Sequence, residues 1–169
     1  MNNGSLHAHY SLFLILYSFT MIALFIGRFQ PLHLGHLDAL KQITENNIII
    51  GIGSSQYSGT KENPYDFAKR KKMIESCTKY LTKKNVAVIA IPDIHDESRW
   101  VDHVKNLIPN FDTVYTGNDF VARLFKIKNY PVKNIIINQK ISGTEIRQMM
   151  SDNNPAWKKL VPTKITNLL

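Results

Sequence analysis

Five short runs, rich in β-branched residues and apolar on both faces, most constrain what this chain can become. They are Met21 to Ile26, Asn47 to Ile52, Val86 to Ile91, Thr113 to Thr116 and Asn134 to Asn138. A strand that is apolar on both faces needs cover on both faces. The segments between the runs supply it. Leu37, Leu40, Ile43 and Thr44 recur at helical spacing, as do Met73, Ile74, Cys77 and Leu81, and less regularly the stretch from Trp100 to Leu107. Alternating strands and helices predict an α/β fold, a parallel sheet of about five strands joined by right-handed crossovers and flanked by helices. In such open sheets ligands bind beyond the carboxyl ends of the strands. That predicts one rim shared by "GRFQPLHLGH", "GSSQYSGTKENP", "PDIHDES" and "TGND".

A chain of 169 residues, 44% hydrophobic, can bury one sizeable core, which favours a single domain. Its 21 Lys and Arg against 13 Asp and Glu give a net charge of +8, favouring anionic partners without choosing among them. The densest basic run, Lys69 to Lys72, follows a helix and lacks interleaved aromatics, so it reads as a solvated face and no nucleic-acid partner is expected. The single cysteine, Cys77, excludes an internal disulfide framework and suits a reducing cytoplasm, the expected location.

The apolar stretch from Tyr10 to Ile26 resembles a membrane span only superficially. It is interrupted by Ser11, Ser18 and Thr20, and no Lys or Arg precedes it. Its final third belongs to the first strand. Residues 1 to 20 are therefore expected to be a hydrophobic extension outside the core fold, with Met21 as the natural initiator, residues 21 to 169 as the domain and no membrane partner. A membrane anchor is the alternative.

Two motifs carry chemistry. In "GRFQPLHLGH", Gly27 to His36, Pro31 and Gly35 shape a turn into a helix whose free N–H groups and positive dipole end attract anions. His33 and His36, three apart, share a helix face and can converge on one group. With Arg28 nearby they suit a phosphate whose charge grows during reaction. Structural histidines capping a turn are the plain alternative. A zinc site would need a third ligand, and neither His95 nor His103 has supporting spacing, so no metal ligand is assigned. The second motif is "ISGTEIRQMM". Ser142 and Glu145 fit a helix capping box, which leaves Gly143, Thr144 and Arg147 unexplained. A glycine permitting close approach, a first-turn hydroxyl and an arginine one turn later make a phosphate cradle, and capping and cradle are compatible.

Together the motifs resemble the paired (H/T)-x-G-H and IS-x-T-x-x-R signatures of the nucleotidyltransferase superfamily. The segments "IIIGIGSSQYSGTKENPYDFAKRKKMI", "IPDIHDESRWVDHV" and "FDTVYTGNDFVARLF" resemble the archaeal type of nicotinamide mononucleotide (NMN) adenylyltransferase over nearly all of Met21 to Pro162. Two departures stand out. Ala68 and Lys69 precede Arg70 where that family usually has Gly-Glu, and the sequence ends at Leu169 where relatives continue with another short helix.

The resemblance implies a Rossmann-like nucleotidyltransferase fold and attack by NMN on the α-phosphate of ATP, giving NAD and pyrophosphate. It implies that His33 and His36 hold the α-phosphate and that Arg28 and Arg147 bind the polyphosphate. Gly27, Gly35, Ser142, Gly143 and Thr144 would surround it, with Asn118 on the nucleotide rim and Trp100 stacked on the nicotinamide ring. It further implies Mg2+ brought with ATP and a homo-oligomer. Another acceptor, nicotinic acid mononucleotide or phosphopantetheine, remains open, as does a non-catalytic nucleotide- or RNA-binding module.

Overall fold

The computed structural model describes residues 21–81, 84–137 and 140–169. Its strands are β1 (Ile22–Gly27), β2 (Asn47–Gly53), β3 (Asn85–Ile91), β4 (Thr113–Thr116) and β5 (Val132–Asn134). Its α-helices are α1 (Leu34–Gln42), α2 (Phe67–Leu81), α3 (Glu97–Leu107), α4 (Asp119–Ile127) and α5 (Gly143–Ser151). Two 3-10 turns, Pro155–Lys159 and Thr163–Leu168, follow.

All strand pairs are parallel, in the order β3-β2-β1-β4-β5. The chain winds outward from β1 through β2 to β3, then returns to β1's other side for β4 and β5. The direction of winding reverses between β1 and β4, and there a crevice opens at the strands' carboxyl ends. Alternation along β1 explains why its run is apolar throughout. Ala23 and Phe25 face a core shared with Leu37 and Leu40 of α1, Met73, Ile74 and Cys77 of α2, and Ile146 of α5. Leu24 faces a second core with Ile91, Val101 and Val104 of α3, and Leu124 and Phe125 of α4. The predicted α/β sheet of five parallel strands is therefore the observed one.

Three local expectations need correction. The last strand was placed at Asn134 to Asn138, but β5 is Val132–Asn134. Ile135 still donates its N–H to the Thr116 carbonyl at 2.9 Å. Beyond it the chain turns away, because the Gln42 side chain accepts from Ile136 N–H at 2.9 Å and donates to its carbonyl at 3.0 Å. Secondly, α1 ends at Gln42, so Thr44 lies past the helix it was assigned to. Thirdly, α4 was not anticipated; Asn118 caps it, accepting from the N–H groups of Phe120 and Val121 at 2.9 and 3.2 Å. The expectations for residues 1 to 20 and for Asn138 lie outside the described residues. Among the described residues, no helix is long and apolar enough to cross a membrane.

Candidate active site

The first motif builds a histidine pair at the start of α1. His33 is the N-cap and His36 the third residue of the helix, where a capping box usually places Glu or Gln. Here imidazole takes that role: His33 N–H donates to His36 Nδ1 at 3.2 Å. Since Nδ1 is the acceptor, the proton of a neutral His36 sits on Nε2. The two rings stack with centroids 3.7 Å apart, and the far side of His36 rests against Phe29 at 4.6 Å. A Cβ at Gly35 would stand 3.1 Å from His33 Nδ1, so glycine leaves room for that ring. His33 is only 8% exposed, and its Nδ1 is buried without a hydrogen-bond partner. Among the described residues Asn63 Oδ1 shares this condition, and each such atom carries an uncompensated desolvation cost.

Burial lowers the His33 pKa from 6.5 to about 4. Burial, and secondarily the neighbouring His33, holds His36 well below its ordinary value. Both rings are therefore neutral at pH 7, donors without charge. The same shift has a stability consequence. Because the folded pKa lies below the unfolded one, the unfolded chain binds more protons as pH falls. The His33 contribution is intact above about 6.5 and is lost as pH falls towards about 4. Melting curves across that window should show the decline in the parent and a smaller one in His33→Gln/His36→Gln. Glu45 does not confuse the result. Burial raises its pKa, but hydrogen bonds from Lys133 and Tyr115 outweigh this and lower it from 4.5 to about 2, so its contribution is lost only at more acid pH.

The pair opens onto a cleft of about 240 Å³ at the β1/β4 crevice. Gly27, His33, Gly35, His36 and Asn118, five of the residues singled out in the sequence, line it together with an apolar wall of Ile135, Ile136 and Ile137. Ile136 and Ile137 are 70% and 59% exposed, unusual for isoleucine unless a ligand covers them. Of the other residues expected at the phosphates, Arg28, Thr144 and Arg147 line a second cavity with Lys61, Glu62 and Tyr65, whereas Ser142 and Gly143 line neither.

Arg147 is tethered before any ligand arrives. Its Nη1 donates to the Gln30 carbonyl at 2.6 Å, Nε to the Lys61 carbonyl at 3.0 Å, and Nη2 to Thr144 Oγ1 at 3.2 Å. Three of its five N–H groups are thus used, leaving two. Burial, and then the charge of nearby Arg28, lower its pKa. Ser142 caps α5 as expected, its Oγ accepting from Glu145 N–H at 3.3 Å. The close approach permitted by Gly143 is to protein backbone, since a Cβ there would lie 2.8 Å from the Gln30 carbonyl oxygen.

Trp100 lines neither cavity. It lies half-buried on α3, with its ring edge-on to Phe125 at 5.7 Å. His95 Nε2 and the Tyr57 hydroxyl are 2.7 Å apart, and His103 Nε2 lies 2.9 Å from the Pro92 carbonyl. Among the described residues no three His, Cys, Asp or Glu converge as metal ligands.

Sequence reasoning missed three supporting residues. Gln30 exchanges two hydrogen bonds with the Tyr65 backbone, at 2.8 and 3.0 Å. Gln42 holds the isoleucine wall as described. Arg70, in the basic run read as a solvated face, is fully buried.

The histidine pair lines the cleft at the reversal point of a parallel sheet, and the chain belongs to the cytidylyltransferase-like family, whose model matches residues 24–149. It is 42% identical over 151 residues to nicotinamide-nucleotide adenylyltransferase of Thermoplasma volcanium, covering 87% of this chain and 84% of that one. It is 43% identical over 155 residues to nicotinamide-nucleotide adenylyltransferase of Methanococcus vannielii, covering 88% of each. Among solved structures it resembles a bifunctional NMN adenylyltransferase/ADP-ribose pyrophosphatase of Francisella tularensis complexed with AMP and a manganese ion. The TM-score is 0.67 at 25% identity, covering 86% of this chain and 44% of that one.

Proposed function

We propose that this chain transfers AMP from ATP to NMN, giving NAD and pyrophosphate. One observation carries the reading: two stacked, neutral imidazoles at a helix N-terminus, facing the cleft at the β1/β4 reversal. An oxygen of the NMN phosphate forms the new bond to the α-phosphorus, and the bond from that phosphorus to the bridging oxygen breaks, so pyrophosphate leaves. His36 Nε2–H, with His33 beside it, donates to the α-phosphate oxygens where negative charge grows. The α1 and α5 N-termini add partial positive charge, and Arg28 and Arg147 hold the leaving phosphates. Asn118 and the isoleucine wall receive the nucleoside.

The donors around the cleft are imidazoles, guanidiniums and amides, which suit anions. Magnesium accordingly enters as part of the ATP substrate, held by phosphate oxygens. Incubating purified protein with ATP, magnesium and, separately, NMN, nicotinic acid mononucleotide and phosphopantetheine tests the reading. NAD and pyrophosphate are expected with NMN, and product with phosphopantetheine alone would overturn it.

Trp100 is the acceptor-side residue in this proposal, its indole stacking on the nicotinamide ring. Loss of one aromatic–base stack costs about 1–3 kcal/mol. Trp100→Ala should therefore weaken NMN binding roughly fivefold to 150-fold, leave ATP binding unchanged, and lower the melting temperature through the lost Phe125 contact. Separate titrations of the two substrates check this, and equal losses for both would refute the stacking role.

The enzyme is proposed to act in the cytoplasm as a homo-oligomer, with residues 1 to 20 dispensable. A chain starting at Met21 retains β1 and the bond from Ile22 N–H to Asp112 Oδ2 at 2.7 Å. It should keep the parent's turnover and sedimentation behaviour. Loss of either would assign the segment to the fold or to an interface.

A further inference from the structure

Arg70 is 0% exposed, yet no carboxylate pairs with it within 4.0 Å among the described residues. It is surrounded by carbonyl oxygens. Nε donates to Asp66 O at 3.2 Å, Nη1 to Arg28 O at 3.1 Å and Gly53 O at 2.9 Å, and Nη2 to Ser54 O, Ser55 O and Tyr57 O at 3.2, 3.3 and 3.5 Å. All five N–H groups are therefore occupied. Burial lowers its pKa, opposed at longer range by Asp66 and Asp93.

Five of those six carbonyls belong to the rim, one from the loop carrying Arg28, one from Gly53 at the end of β2 and three from the loop that follows. Rim carbonyls are an obstacle to a polyphosphate, because each presents partial negative charge. A single buried cation turns these five inward and fixes the spacing between the two loops.

We infer that Arg70 is a positioning residue for the polyphosphate, gathering the rim carbonyls away from the anion and holding the Arg28 backbone in place before ATP binds. The inference rests on the reading of this rim as the ATP site. Its signature is a dependence on phosphate number. Electrostatic preparation of the rim matters little for a neutral nucleoside and most for a triphosphate.

The experiment measures binding of adenosine, AMP and ATP to the parent, Arg70→Met and Arg70→Lys, well below each protein's melting temperature. For Arg70→Met the expected loss is roughly tenfold or more for ATP, intermediate for AMP and under about threefold for adenosine. Lysine, which keeps the charge but cannot reach all five carbonyls, should restore part of the ATP affinity. Equal losses for the three ligands, or none, would reduce Arg70 to a structural residue and overturn the proposal while leaving the ATP site intact. A parent that binds no ATP would instead overturn the site reading and this inference with it. If neither variant folds, amide exchange in the parent decides. Ser55 and Tyr57 amides should already be protected without ATP and change by less than about threefold at saturation; a tenfold gain would mean that ATP, not Arg70, orders the rim.

Discussion

His36→Ala is expected to reduce turnover roughly 10²- to 10³-fold, the usual cost of removing one preorganised donor to developing charge. The fold should survive. His36 also closes the start of α1 through His33 N–H, and a lost cap costs about 1 kcal/mol, a few degrees of melting temperature. Steady-state rates at saturating ATP and NMN, taken well below the melting point, separate these effects. A folded variant with near-parental turnover would remove His36 from the chemistry and leave the histidines as helix caps. His33→Ala should lose turnover similarly, and its melting temperature should fall less at mildly acid pH, since its buried neutral ring is then absent.

Arg147→Lys should raise the ATP requirement about tenfold or more and slow the reaction, although the charge is kept. The guanidinium spans the Gln30 carbonyl, the Lys61 carbonyl and the Thr144 hydroxyl while leaving two N–H groups for phosphate. An ammonium has three donors and no planar fork, so it cannot maintain that brace and still bind bidentately. ATP titrations of the variant that overlay the parent's would make Arg147 a surface brace alone. Because Arg28 and Arg147 repel one another, ATP should also stabilise the parent against melting more than adenosine does at equal concentration.

The sheet and its rim were legible because hydrophobic pattern and strand order depend on local sequence. Both motif helices begin where His33 and Ser142 indicated. The isoleucine run after Asn134 was misread for a reason that local pattern cannot carry. It has a strand's composition, but the amide of Gln42, more than ninety positions away in sequence, takes the hydrogen bonds of Ile136 that a neighbouring strand would have taken. Arg70 was hidden for the same kind of reason. Its acceptors lie on two loops whose approach is set by the β1/β2 register, and nothing in "KRKK" distinguishes the one buried cation. The omission of α4 was avoidable, since an N-capping Asn118 is followed by Ala122, Leu124 and Phe125, all buried on a helical face.

The nine-residue helix α1 joins two tasks that enzymes often assign to separate elements. At its first turn stand the rings proposed to meet the phosphate, and at its last residue Gln42 suspends the wall proposed to meet the nucleoside. The helix works as a lever with both loads on one bar. A change that tilts it, such as a cavity cut beneath Leu37 or Leu40, will move base and phosphate contacts in concert. Defects in nucleotide affinity and in rate should then travel together through a family of such variants, and a separate mutation at either end should uncouple them.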